Sequence, residues 1–315
     1  MPLDHYVSQV HLRKFYAADA NFRKTYGYRK SDGAEFPCGS EDVCRMEEGS
    51  TNQFLTEPRF IEDFLRKVEP AYDSACDSIT ARQFTFDDIL VIAGFASFVI
   101  CCSPTAMRLG AKKLEMLTHT QVELMEQAGL LDPPPAELGG KSATELIQNG
   151  ALQIEIDQKY PQAMGISNVV NLSNSMASFH WEILLNPKSD KFPFLSSDFP
   201  AAIERPNLRV PANRIVPLRP DLAVRIIPQI RPAGRPDMNS DFLYKIRQIS
   251  PSEVRQINVI LVQSAEDLVF APVKAKWVTQ LVKKNAKFRI ELEHSRMPTG
   301  AGFFLTDSLV VKESQ

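Results

Sequence analysis

Apolar residues return at intervals of three and four from residue 57 onward. In "EPRFIEDFLRKVEPAYDSACDSI", Phe60, Ile61, Phe64, Leu65 and Val68 make one face, with Pro58 early in the run, and this spacing predicts a helix. A second helix is predicted from "TFDDILVIAGFASFVICC", where Thr85 caps the start and Asp87 and Asp88 suit its positive end. Its apolar stretch, residues 89–102, is shorter than the roughly 20 residues of a membrane span and reads as a central helix buried on most sides. Pro104 interrupts it, residues 104–130 continue as one or two helices, and "LDPPPAELGGK" is a break. "SATELIQNGALQIEI" and "NVVNLSNSMASF" predict two more helices joined through "QKYPQAMG". Residues of about 57–178 therefore form a helical body.

Near residue 179 the period shortens to two. "FHWEILLN" alternates, "PKSDKF" turns and "PFLSSDFP" returns, which predicts a hairpin-like pair of strands. Residues 200–236 hold Pro200, Pro206, Pro211, Pro217, Pro220, Pro228, Pro232 and Pro236. Central strands cannot use so many, so edge strand and irregular loop are expected, with "LAVRII" the best strand. Ser250, Pro251 and Glu253 make an S-P-x-E capping box at the head of a helix. "LVFAP" follows as a strand, "VKAKWVTQLVKK" as a helix, and "KFRIELEHSRM" and "GFFLTDSLVV" as closing strands. At the N-terminal end, Tyr26, Tyr28 and Phe36 around Asp32-Gly33 predict a hairpin, and residues 37–56 read as loop with one helical turn. The expected architecture is a single α+β domain over 1–315. Its helix-rich part, 57–178, packs with a mixed or antiparallel sheet from 179–315 and the N-terminal 1–56.

Composition adds little to this picture. Apolar content of 44% and charged content of 23% are those of a globular chain, and the net charge of -2 argues against a generic polyanion binder. Cys38, Cys44, Cys76, Cys101 and Cys102 are odd in number and irregular in spacing, so reduced thiols and a cytoplasmic location are expected. Asp4, His5 and Arg13 break any apolar run at the start, so neither a signal peptide nor a membrane partner is expected.

The polar pattern of "DHYVSQVHLRKF" is the first candidate for chemistry. If residues 4–15 are helical, His5, Gln9 and Arg13 form one stripe, flanked by Leu12 and Tyr16 on one side and Tyr6 and Val10 on the other. Apolar edges suggest that the stripe faces a cleft, with His11 and Lys14 toward water. His carries protons and Arg grips anions. A second candidate is "FLSSDFP", where Ser197 and Asp198 suit either a ligand-facing turn or a structural Asx or ST turn. A third is the set Arg205, Arg209, Arg214, Arg219, Arg225, Arg231 and Arg235. Between 204 and 236 the only acids are Glu204 and Asp221 and there is no lysine, and exclusive use of Arg suits phosphate or carboxylate recognition, or solvated loops. His180 and Glu182 share a strand face as a further acid–base or structural pair. No P-loop, G-x-G-x-x-G, H-E-x-x-H or G-x-S-x-G occurs.

In order and spacing these motifs resemble the mostly microbial "domain of unknown function 4238" family. Its members open with His-x-x-Pro-Gln-x-x-Leu-Arg-x-Phe, matched here by His5, Gln9, Leu12, Arg13 and Phe15, and later carry Phe-Ile-Thr-Ser-Asp-Asn-Pro, matched by Ser197, Asp198 and Pro200. "VPLRP" resembles the family's Pro-Leu-Ser-Pro, and "VRQINVILVQSA" its late helix bearing an Asn, here Asn258. Ser8 stands where the family has Pro, Phe199 where it has Asn, and Arg219 where it has Ser. The resemblance supplies no reaction, but it strengthens these residues as a site.

Together they suggest an enzyme acting on a phosphate-bearing substrate, nucleic acid or nucleotide, as a hydrolase or nuclease. In that reading His5, Gln9, Ser197 and Asp198 are catalytic, with His5 carrying a proton and Asp198 acting as base or as ligand of a divalent metal. Arg13, Arg219 and Asn258 bind substrate. The competing expectation is a binding or scaffold protein in which the same residues form a structural polar network.

Overall fold

The computed structural model describes residues 3–18, 23–132, 139–205, 211–229, 243–300 and 302–314. Among them the chain is α+β. The N-terminal segment is not the predicted single helix: β1 (Leu3–His5) pairs antiparallel with β4 (Arg45–Glu47), and only Gln9–Arg13 is helical, as α1. The predicted hairpin is present as β2 (Thr25–Arg29) and β3 (Glu35–Cys38), turning at Gly33 with φ of 72°, a conformation glycine adopts without strain.

The helical body comprises α2 (Phe60–Ala81), α3 (Phe86–Cys102), α4 (Pro104–Gln127), α5 (Ala143–Gln148) and α6 (Lys159–Ala177). At the start of α3 the Thr85 N–H donates to the Asp88 carboxylate at 2.7 Å. Gly94 lets α3 approach α2 closely, since a Cβ there would lie 2.8 Å from Val68. "QKYPQAMG" belongs to α6 rather than to a joint, because Pro161 falls in the first turn, where a missing N–H removes no intrahelical bond. No single described helix is long and apolar enough to cross a membrane.

A five-stranded sheet, in the order β10-β5-β9-β8-β7, is built from β5 (His180–Leu185), β7 (Ala202–Glu204), β8 (Asn213–Arg219), β9 (Leu222–Ile227) and β10 (Tyr244–Gln248). Only β10 and β5 run parallel. Two expectations are corrected here. "FLSSDFP" does not return on β5, because its β6 (Ser196–Ser197) pairs instead with β11 (Leu268–Ala271) in a second sheet, β3-β2-β11-β6. The proline-rich stretch also supplies an interior strand, β8, which accommodates Pro217 at a shift of register between Pro217 and Arg219.

Trp181, Ile183, Val216, Leu218, Val224 and Ile226 face the helical body and join one apolar core that runs from Val7 to Leu292. On the opposite face, Leu184, Ala202, Ile215 and Ala223 pack on α7 (Pro251–Ser264) through Val254, Ile257 and Leu261. The sheet is thus the middle of three layers. Helix α8 (Lys276–Lys284) packs with the second sheet, and β12 (Phe288–Thr299) and β13 (Gly302–Glu313) form a separate antiparallel ribbon.

Candidate functional site

Although α1 is short, His5, Gln9 and Arg13 still form one line. The His5 Nε2–H donates to the Ser40 carbonyl at 3.0 Å, which leaves the Nδ1 lone pair on the other side of the ring, 3.5 Å from Gln9 Nε2. Gln9 Oε1 in turn accepts from Ser40 Oγ at 3.1 Å and from Arg13 at 3.4 Å. Burial lowers the His5 pKa below the ordinary imidazole value, outweighing the opposing pull of the Ser40 carbonyl and of Glu69 and Asp4. His5 is therefore neutral at pH 7, with one tautomer fixed by its backbone partner.

This line forms one wall of a cavity of about 480 Å³, and α2 forms the other with Glu62, Leu65, Arg66, Glu69 and Pro70. Asp4 in the same cavity accepts from the Ser50 N–H at 3.0 Å, and Glu62 is tied to Arg59. Arg66 is paired with Asp63. Arg13 and Glu69 have no ion-pair partner among the described residues. Glu69, Arg66 and Pro70 carry no sequence signal for this site, since only the fold brings α2 to this wall, and neither does Ser40, which meets His5 and Gln9 from the loop after β3.

The Ser-Asp turn does not line this cavity, which corrects the expectation that it shares one site with the stripe; it packs instead against the buried side of α1, where Ser196 meets His11. Asp198 is 4% exposed, and its carboxylate accepts the backbone N–H groups of Glu266 (2.9 Å), Asp267 (2.8 Å) and Leu268 (2.7 Å). Burial pushes its pKa up to about 6 and those three donors pull it down, so at pH 7 it is an ion held by the main chain. The three donors take most of the carboxylate's acceptor capacity, and no group of three or more His, Cys, Asp or Glu is gathered to hold a metal among the described residues. Ser197 Oγ accepts from the Phe199 N–H, the ST turn that was the bland alternative. Asn258 braces the same segment, accepting from the Leu195 N–H and donating to the Pro193 carbonyl.

Arg214, Arg219 and Arg225 are also spoken for. Arg219 binds Asp221 and Asp77, and Arg225 binds Glu182 and Glu204, so Glu182 is an ion-pair partner. Arg214 donates to the Ala201 carbonyl, and Arg205 lines a different, largely apolar cavity. Arg209, Arg231 and Arg235 lie outside the described residues. His11, expected to meet water, is wholly buried between the Tyr72 hydroxyl (2.8 Å) and Ser196 Oγ (2.7 Å).

A three-layer α+β fold with a polar cleft at its N-terminal edge is the class these features define. The chain belongs to the family described as "Protein of unknown function (DUF4238)", whose profile matches residues 4–274. No curated protein and no solved structure matches it.

The family's proline at position 8 has a physical reading. Ser8 caps α1 with φ -56° and ψ 134°, which proline adopts readily, and its buried Oγ has no partner. Ser8→Pro is expected to stabilise the protein by about 0.5–1 kcal/mol, measured by urea unfolding, since it restricts the unfolded chain and removes an unsatisfied hydroxyl. A loss of stability would show that the Ser8 N–H or hydroxyl is needed.

Proposed function

We infer that the cleft between α1 and α2 binds and hydrolyses a small phosphate-bearing substrate of nucleotide size. One observation carries this reading: His5, Gln9 and Arg13 line a single cavity in which Arg13 meets no carboxylate. A volume of about 480 Å³ suits such a ligand. Asp4, Glu62 and Glu69 outnumber Arg13 and Arg66 along its walls by one charge, which disfavours the extended backbone of a nucleic acid and leaves Arg13 as the point where a single phosphate group is met.

The roles follow from the atoms. Arg13 offers its free guanidinium N–H groups to phosphate oxygens. His5 Nδ1 takes a proton from the attacking water as the new phosphorus–oxygen bond forms and the bond to the leaving oxygen breaks. The leaving oxygen is then protonated from the imidazolium, which restores the neutral ring. Gln9 orients both residues. Ser197, Asp198, Asn258 and Arg219 hold the scaffold.

The test is hydrolysis of a panel of nucleotides and phosphate esters by wild type, His5→Ala and Arg13→Ala. His5→Ala is expected to lower kcat by roughly 10²–10⁴-fold, and Arg13→Ala to raise KM. The acid limb of the wild-type profile should fall below the usual imidazole pKa, as burial of His5 requires. Absence of hydrolysis by the wild type, or equal rates in all three, would overturn the reading.

A further inference from the structure

The α2 wall contains a proline in mid-helix. Pro70 has no N–H, so the carbonyl of Arg66, four residues earlier, lacks its helical donor. The next side chain back is Glu69, half-buried, lining the same cavity and without a hydrogen-bond or ion partner among the described residues. Two acceptors therefore stand together on α2, while the unpaired cation of the cleft, Arg13, stands on α1. Arg13 and Glu69 share one cavity, yet no ion pair closes between them. The other carboxylates here, Asp4 and Glu62, are satisfied by the protein itself, so Glu69 is the one that keeps its acceptors open to the cavity among the described residues lining it.

We propose that Glu69 and the Arg66 carbonyl form a subsite for a group with paired N–H or O–H donors, borne by the same ligand whose anion meets Arg13. It rests on the cleft being the phosphate site and adds what the other end of the ligand must carry. A carboxylate accepts two donors side by side through its two oxygens. Two common sources share that chemistry: the N–H edge of guanine and the vicinal hydroxyls of ribose. A lone phosphate ion has neither.

Titration calorimetry on the full chain separates the cases, with inorganic phosphate, ribose 5-phosphate and guanosine monophosphate as probes. Arg13→Ala is expected to weaken all three. Glu69→Gln should weaken one or both organic probes by roughly tenfold, the effect of one charge-assisted hydrogen bond, and leave inorganic phosphate within about twofold. Sensitivity of ribose 5-phosphate and guanosine monophosphate alike assigns the hydroxyls, and sensitivity of guanosine monophosphate alone assigns the base. Pro70→Ala returns an N–H to the Arg66 carbonyl and should weaken the organic probes by a smaller factor. Phosphate binding that depends on Arg13, with organic probes indifferent to Glu69→Gln, would overturn the subsite while the phosphate site stands. Failure of all probes to bind, or indifference to Arg13→Ala, would overturn both.

Discussion

Asp198→Ala is expected to destabilise the protein by about 3–5 kcal/mol, the range for removing one partner of a buried charged network. Three backbone donors, on Glu266, Asp267 and Leu268, lose their acceptor at once. They cannot turn to water without opening the junction between α7 and β11. That junction also depends on Lys30, whose Nζ donates to the carbonyls of Ala265 (2.7 Å) and Phe288 (2.5 Å). Burial lowers the Lys30 pKa to about 8, and the Asp198 carboxylate is the foremost charge opposing that shift, so its removal weakens a second latch. Asp198→Asn should recover only part of the loss, because its amide N–H₂ would face a backbone donor. In a domain of this size the alanine variant should melt roughly 10 °C lower. An unchanged melting temperature with lost hydrolysis would return Asp198 to the catalytic set.

Asp198 also shows why part of the site was legible and part was not. "FLSSDFP" marks a specialised turn in the sequence, but small hydroxyls beside a carboxylate look the same whether they face a ligand or the main chain. The deciding partners, residues 266–268, lie nearly seventy positions away. Local signals fared better. The Asp32-Gly33 hairpin, the S-P-x-E helix start and "LAVRII" each carry their determinants within a few residues, and each is present in the fold. Pro217 misled because a bulge lets an interior strand keep a proline, which composition cannot reveal. The stripe of His5, Gln9 and Arg13 was read with the wrong backbone and the right neighbours. A strand followed by a single helical turn brings them together as a continuous helix would have done. Glu69 had no signal of its own, since its place depends on how α2 crosses α1.

His11 leads to the second large effect, a loss of stability in acid. His11, Leu12 and Phe15 are all buried and fall within an arc of about 100° on a helix, so α1 turns this one face into the core and its opposite face, with Gln9 and Arg13, to the cavity. The ring stacks on Phe95 at 4.6 Å and bridges Tyr72 to Ser196 with one nitrogen donating and the other accepting, which only the neutral form can do. Burial lowers its pKa from 6.5 to about 3. Between those values the unfolded chain binds a proton that the folded chain refuses, so this contribution is complete above pH 6.5 and is lost as pH falls toward 3. At 1.36 kcal/mol per unit, about 2 kcal/mol should disappear between pH 7.5 and pH 5. Asp198 acts in the opposite sense over part of this range, since its folded pKa is raised, so the wild-type slope alone is ambiguous. Urea unfolding of wild type and His11→Gln at both pH values isolates the histidine. The variant should be less stable at pH 7.5, where it packs less well, and should show a pH dependence smaller by about 2 kcal/mol. Equal slopes in the two proteins would mean that folded His11 takes up its proton as readily as the unfolded chain does, and the Tyr72–His11–Ser196 bridge would have to be drawn with a charged ring at pH 5.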